Sequence, residues 1–381
     1  MRRLGLKPKL NFISEQLEKI KKEDLYRQLR LSKVIGPYIT INKKKLLNLC
    51  SNDYLGIPSS NLVIKQMQSS SRLVSGNDSS FNLLEKKLAK HKSQKNALIF
   101  PTGYMANLGA ITALIQKEDQ ILSDELNHAS IIEACKLSGA KITVYKHNDV
   151  NDLKLKISKK HKRKFIITEG IFSMDGDFAM LNDITKIAEK NGAITILDDA
   201  HGDFTVGEDG KGSADYFGVS KKIDLYISSL SKGLGSFGGY IAADSNIVDL
   251  CINKSKSFIY TSALPGFLSE YSLRRFNSNR EKYRKKLQKN VQILSSGLKK
   301  LGYDILSETH IIPIVIGKEK TTLEFGKYLY DHGIFAQPIR FPTVPKNKAR
   351  IRVSVTSWLL KKHIEKALNV FDSAGKKFDV F

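Results

Sequence analysis

The segment AITILDDAHG, residues 193–202, decides how this chain is read. A short apolar run passes directly into two carboxylates, Asp198 and Asp199, then His201 and a glycine. A brief, nearly continuous apolar stretch is the pattern of a strand buried on both faces, as in a parallel sheet covered by helices. Ligands of such sheets bind beyond the carboxyl ends of the strands, so the polar residues that follow each apolar run are the ones to inspect.

The same pattern recurs on both sides of it. NALIF (96–100), KITVYKH (141–147), KFIITEG (164–170), LYISSLS (225–231) and GYIAA (239–243) read as further strands. TGYMANLGAITAL (102–114), HASIIEACKLSG (128–139) and LNDITKIAEKNG (181–192) read as helices between them. This alternation predicts the α/β class, with a mainly parallel central sheet and helices on both faces. Ahead of it, Ile13, Leu17, Ile20 and Leu25 stand near helical spacing and predict an amphipathic helix within 13–30. After about residue 265, long helical patterns lead to IIPIVIG (311–317), a helix near 321–332, ARIRVSVT (349–356) and a last helix from about 360. The expected organisation is an N-terminal helical arm (1–44), a large α/β domain (45–265) and a small C-terminal α+β domain (266–381), with no internal repeat.

With 381 residues, 41% of them hydrophobic, the chain can bury a large core, which excludes a disordered or fibrous protein. No apolar run approaches the roughly 20 residues of a membrane span, and the basic start lacks a signal-peptide core. Cys50, Cys135 and Cys251 are scattered and without CxxC spacing, so neither disulfides nor a metal site is expected, and a reducing cytoplasm fits. The formal charge of +24 raises the question of polyanion binding. Blocks such as Lys43-Lys44-Lys45 and Lys285-Lys286, however, lie between apolar periodic segments, as solvated faces do. No nucleic-acid or membrane partner is expected, only a general pull on acidic ones such as the phosphates of coenzyme A or an acidic carrier protein.

Three more strand ends carry polar chemistry. LYISSLSKGLGSFGG ends in Ser229, Ser231, Lys232 and glycines; KFIITEGIFSMDGD in Glu169, Ser173 and Asp175; NALIFPTGYMAN in Thr102, Gly103 and Tyr104. Singly each is open to a plain reading: a Mg²⁺ pair or a helix cap for the aspartates, a solvated lysine, a capped helix start, a capping or surface histidine for His128 in SDELNHAS. Jointly they meet the needs of pyridoxal phosphate (PLP). Its aldehyde needs an amine that loses its proton easily, which a desolvated Lys232 supplies. Its ring nitrogen needs a fixed carboxylate, for which Asp198 is the candidate. Its phosphate suits a helix N-terminus, here Gly103 and Tyr104, with the Ser229 and Ser231 hydroxyls nearby.

DDAHG, the lysine in SSLSKGLG, SNDYLG (51–56), TEGIFSMDGD (168–177), FIYTSALP (258–265), IRFPTVP (339–345) and ARIRVSVT together resemble the α-oxoamine synthases, fold-type I PLP enzymes that join a small amino acid to an acyl thioester with loss of CO₂. The resemblance spans about residue 15 to 370. HNDV (147–150), SMDGD and IRFPTVPKNKARIRV are most similar to the branch that uses L-alanine and a pimeloyl thioester, on coenzyme A or an acyl carrier protein, in biotin biosynthesis. It implies that Lys232 forms the Schiff base and acts as base, Asp198 pairs the ring nitrogen, His201 and Ser173 contact the ring hydroxyl, and His128 stacks on the ring. It further implies that Gly103, Tyr104 and Ser229 bind cofactor and phosphate, with Thr261 and Ser262 reaching the phosphate across a homodimer. Asn52 and Arg352 would hold the amino-acid carboxylate, a role to which a guanidinium fork is suited. Arg340 and Thr343 on the IRFPTVP loop would serve the substrate, and Arg27 the far carboxylate of the acyl chain. Two departures stand out: SSSRLVSG (69–76) where the family is glycine-rich, and Phe81 where it usually has histidine. The alternatives are other family members, acting on glycine with acetyl-CoA, making 5-aminolevulinate, or making sphingoid bases, and, in a different class, a non-catalytic polyanion binder.

Overall fold

The computed structural model describes residues 10–23, 25–58, 70–158 and 160–381. Residues 1–9 of the expected arm and Ser69 of the SSSR segment lie outside them. Helix α1 (Asn11–Lys22) ends well short of residue 30 and buries none of its side chains, so no packing surface extends it. The segment expected to finish a helical arm is instead a meander of β1 (Ser32–Ile35), β2 (Tyr38–Ile41) and β3 (Lys44–Asn48).

The central sheet follows, built from β4 (Asn96–Phe100), β5 (Gln120–Asp124), β6 (Lys141–Tyr145), β7 (Lys164–Glu169), β8 (Ile194–Asp198), β9 (Leu225–Ser229) and β10 (Gly239–Ala243). Its order is β4-β10-β9-β8-β7-β5-β6. Only β10 runs against its neighbours, β4 and β9, so the expected mainly parallel sheet is present. Alternation along each strand divides the core in two. Ile99, Leu122, Ile166, Leu197 and Tyr226 face one hydrophobic layer, whereas Leu98, Ile121, Phe165, Ile196 and Ile227 face the other. Each such side chain, removed from water, contributes about 1.5–3 kcal/mol before entropy is charged against it.

The helices begin with α2 (Ser79–His91), for which no range was predicted, followed by α3 (Gly103–Leu114) and α4 (Ala129–Ser138), both close to the ranges their periodicity predicts. Asp78, Thr102 and His128 cap them, each accepting a bond from a backbone amide of the first turn. Toward the carboxyl end, β11 (Ile311–Gly317), β12 (Ile334–Phe335), β13 (Gln337–Ile339) and β14 (Ala349–Ser354) complete the strands. β14 lies between β11 and β13 in a three-stranded antiparallel sheet. β12 pairs in parallel with β3, which joins the opening meander to the last third of the chain. Among the described residues no helix is long and apolar enough to cross a membrane.

Candidate active site

The carboxyl ends of four adjacent strands supply the floor of the site: Asp124 from β5, Glu169 from β7, Asp198 from β8 and Ser229 from β9. Glu169 and Asp198 are register partners, so their side chains leave the sheet on the same face. Asp198 accepts from Asn107 Nδ2 at 2.6 Å and from its own turn, Ala200 N, at 3.0 Å. Asn107 lies four residues beyond Gly103 on α3, one helical turn into the site. Its Nδ2 also donates to Ser130 Oγ at 3.0 Å. Ser130 N and its hydroxyl reach His128 Nδ1 at 3.2 and 2.7 Å. His128 is therefore both a helix cap and part of the site, and these bonds leave the ring proton on Nε2. Burial pushes its pKa down, against the pull of Asp198, so the ring is neutral.

Lys232 is half-buried, with Nζ 2.9 Å from His201 Nε2. Burial lowers its pKa, opposed chiefly by the charge of Asp198 and assisted by that of Arg352. The same burial, with the charges of Lys232 and Arg352, holds His201 well below its ordinary value. A neutral His201 presents an Nε2 lone pair to the amine if its proton is on Nδ1. Tyr54 OH fixes that tautomer: it lies 2.7 Å from Nδ1 and passes its own proton to Asn52 Oδ1, 3.1 Å away. Arg352 closes the relay, with Nη1 at 3.5 Å from Asn52 Oδ1 and 2.8 Å from Ser354 Oγ, and Nε at 2.5 Å from Ser173 O.

The start of α3 makes an anion cradle. Thr102 Oγ1 accepts from Met105 N, and the amides of Gly103 and Tyr104 precede the first intrahelical bond. A Cβ on Gly239 would fall 2.5 Å from the backbone of Gly103, so glycine lets β10 approach the helix start this closely. Ser229 Oγ and Ser231 Oγ, 2.8 Å apart, stand on the same side, with Ser229 Cβ 3.1 Å from the Cβ position of Gly103. No acidic residue occupies the first turn of α3. Amine, carboxylate and phosphate cradle thus converge at the carboxyl ends of the central strands, which fits PLP.

Four participants were not singled out from sequence. Tyr54 sits in the quoted SNDYLG segment and Asn107 at helical spacing from Gly103. Glu169 was noted at a strand end without a role. It is 3% exposed, and its Oε1 has no hydrogen-bond partner among the described residues. Burial first, then the Asp198 charge, raise its pKa well above the carboxylate range, so it is held as the neutral acid. Buried His310 packs on Tyr54 with ring centroids 3.9 Å apart, and burial with the charges of Arg352 and Lys232 takes it down to about 3. Nothing in its sequence surroundings marks it.

Other expected residues lie toward the rim. Thr261 is half-buried and Ser262 exposed, beside Arg72, Phe81 and Phe258. Arg27 is exposed on the coil between α1 and β1, and Thr343 is exposed in the turn closed by its amide on Arg340 O. Arg340 lines a cavity of about 430 Å³ with Glu23, Leu25, Glu319, Lys320 and Phe341. The two departures meet each other: the Arg72 guanidinium lies 4.5 Å over the buried Phe81 ring and is paired with Glu85 at 2.5 Å.

A family model described as aminotransferase class I and II matches residues 44–371. The 8-amino-7-oxononanoate synthase of Thermoanaerobacter pseudethanolicus is 41% identical over 97% of this chain and 98% of the relative. Among solved structures, a serine palmitoyltransferase variant with PLP is 25% identical, with a TM-score of 0.89 over 98% of this chain and 99% of that one. The 8-amino-7-oxononanoate synthase of Francisella tularensis is 26% identical, with a TM-score of 0.74 over 87% and 98%.

Proposed function

The chain belongs to the class I and II aminotransferase family and, within it, to the 8-amino-7-oxononanoate synthases, PLP-dependent acyltransferases; on that premise we propose that it condenses L-alanine with a pimeloyl thioester, releasing CO₂ and the thiol. The thioester is carried on coenzyme A or on an acyl carrier protein. When bound, PLP supplies an electrophilic carbon for an amine and a cationic ring that accepts an electron pair. Asp198, oriented by Asn107, would be the carboxylate for the ring nitrogen, and the α3 start with Ser229 would hold the phosphate. His128 would cover the ring, while Ser173 and His201 would serve its hydroxyl.

The work of proton movement falls to Lys232. Its lowered pKa keeps an unprotonated amine within reach, and Nζ is the base that takes the proton from the amino acid's α-carbon. His201 Nε2, 2.9 Å away, accepts a hydrogen bond from Nζ and so orients the amine that carries the proton. Arg352 and Asn52 receive the amino acid's carboxylate, which Ser173 O and Ser354 Oγ keep aligned by fixing two sides of the guanidinium. Burial of Tyr54, Asp198 and His201 excludes water from these bonds and strengthens them. Ser262 is exposed and Thr261 half-buried on one chain, which supports a homodimer whose second copy they complete.

The observation that carries this reading is the 2.9 Å contact of Lys232 with a neutral His201 on the face shared with Asp198. Mass spectrometry of the product formed from purified protein, L-alanine and pimeloyl thioesters on each carrier tests it. Product of the mass of 8-amino-7-oxononanoate is expected; product only from glycine or serine would transfer the enzyme to another branch.

A further inference from the structure

Arg350 and Arg352 alternate on β14, so both project from the same face of the small sheet, about 7 Å apart. Both are buried, and both grip one loop of the large domain, residues 173–177 after β7. Arg352 Nε donates to Ser173 O at 2.5 Å; Arg350 Nη1 donates to Met174 O at 3.2 Å and to Asp175 Oδ1 at 2.5 Å. The pairing is a ladder: 352 with 173, 350 with 174 and 175. From the same small-domain side, Ser307 Oγ and Thr309 Oγ1 donate to Gly176 O at 3.0 and 2.7 Å. A Cβ on Gly176, whose φ is +68°, would lie 2.1 Å from Ile311 O, so the loop sits directly on β11. The opposite side is held by the large domain, with His147 Nε2 and Asn148 Nδ2 each 2.8 Å from Asp177 Oδ2.

This arrangement makes the Ser173 carbonyl the stop that sets the rotation of the Arg352 guanidinium, and makes Asp175 the charge that pins that part of the loop to β14. We propose that the Asp175–Arg350 ion pair is a positioning pair for amino-acid recognition: it fixes Arg352 so that the enzyme discriminates amines bearing an α-carboxylate from those lacking one. Neither residue touches substrate. The inference rests on the assignment of Arg352 to the substrate carboxylate under the function proposed above.

The test is a binding titration on the PLP-loaded protein, followed by the absorbance change of its cofactor, with no thioester present. L-alanine, glycine and L-serine are compared with ethylamine, which is alanine without its carboxylate. In Asp175→Ala and Arg350→Gln the Kd for the amino acid should rise about 10-fold, while that for ethylamine changes less than about two-fold, because misplacing one orienting contact of a charged hydrogen bond is worth roughly that factor. The double variant should lose no more than either single one, as partners in one interaction do. Asp175→Asn keeps the side-chain shape and reports the charge alone, with thermal unfolding confirming that each variant is folded. Equal weakening for ethylamine and amino acid would show a merely structural role and overturn the proposal. Wild-type protein that binds ethylamine as tightly as every amino acid would instead overturn the assignment of Arg352.

Discussion

Lys92→Met perturbs a part of the molecule on which the site depends without touching it. Lys92 Nζ bridges Asp199 Oδ2 at 2.9 Å and Asp203 Oδ1 at 2.8 Å, and the three side chains are 1%, 0% and 0% exposed. Asp203 also accepts from His91 at 3.0 Å, Ser228 at 2.7 Å and Tyr240 at 2.6 Å. Among the described residues Asp199 then keeps only the amide of Ser213, at 3.1 and 3.2 Å, so it is the carboxylate left short when the ammonium is removed. Methionine follows the lysine stem, which keeps the cavity small and isolates the charge effect. Breaking a buried pair by removing one partner costs about 3–5 kcal/mol. Burial already raises Asp199, with Lys92 opposing it; loss of the lysine raises it further. A carboxyl whose folded pKa exceeds its unfolded value near 3.9 destabilises increasingly as pH climbs from that value to the folded one. The deficit should therefore be larger at pH 7 than at pH 5, and adding Asp199→Asn should recover part of it. Equilibrium urea unfolding followed by Trp358, the chain's single tryptophan, measures both. A deficit below about 1 kcal/mol, the range of an exposed pair, or one independent of pH, would refute the reasoning.

Three further outcomes are expected. Tyr54→Phe leaves His201 Nδ1 without its acceptor in a dry site, a loss of about 1–3 kcal/mol, so kcat should fall about 5- to 150-fold with PLP retained; a rate within two-fold of wild type refutes the relay. His147 is pressed down by burial, but bonds to Asp124 and Asp177 carry it up to about 10. A raised folded pKa gives stability that is full below pH 6.5 and lost on the way to 10, so wild type should weaken across that window while His147→Gln stays flat; parallel denaturation curves would count against it. Glu169→Gln mimics the neutral acid and should keep activity within a few-fold with an unshifted pH profile, whereas Glu169→Ala should not; equal losses would mean that Glu169 acts as a carboxylate.

Much of the fold was legible because buried parallel strands appear as apolar runs and the chemistry waits at their ends. Asp198, Lys232, Ser229 and Gly103 follow directly from that rule, and the structure gathers them at the carboxyl ends of the central strands. The β1–β3 meander escaped because it is short, rich in lysine, and stabilised by β12, a partner distant in sequence. Tyr54, His310 and Asn107 escaped for a related reason: each matters only through contacts far along the chain, such as the Tyr54–His201 bond across 147 positions. Arg27 and Thr343 were named by resemblance alone, and one chain leaves both exposed on its surface.

The parallel pairing of β3 with β12, reinforced by Cys50 Sγ on Phe335 O across 285 positions, has a consequence for biosynthesis. At roughly 5–20 residues per second, a nascent polypeptide emerging from the ribosome must wait some 15–60 s between making one half of this seam and the other. During that interval the hairpin edge hangs open to stray strands, and its lysine-studded face is what discourages them.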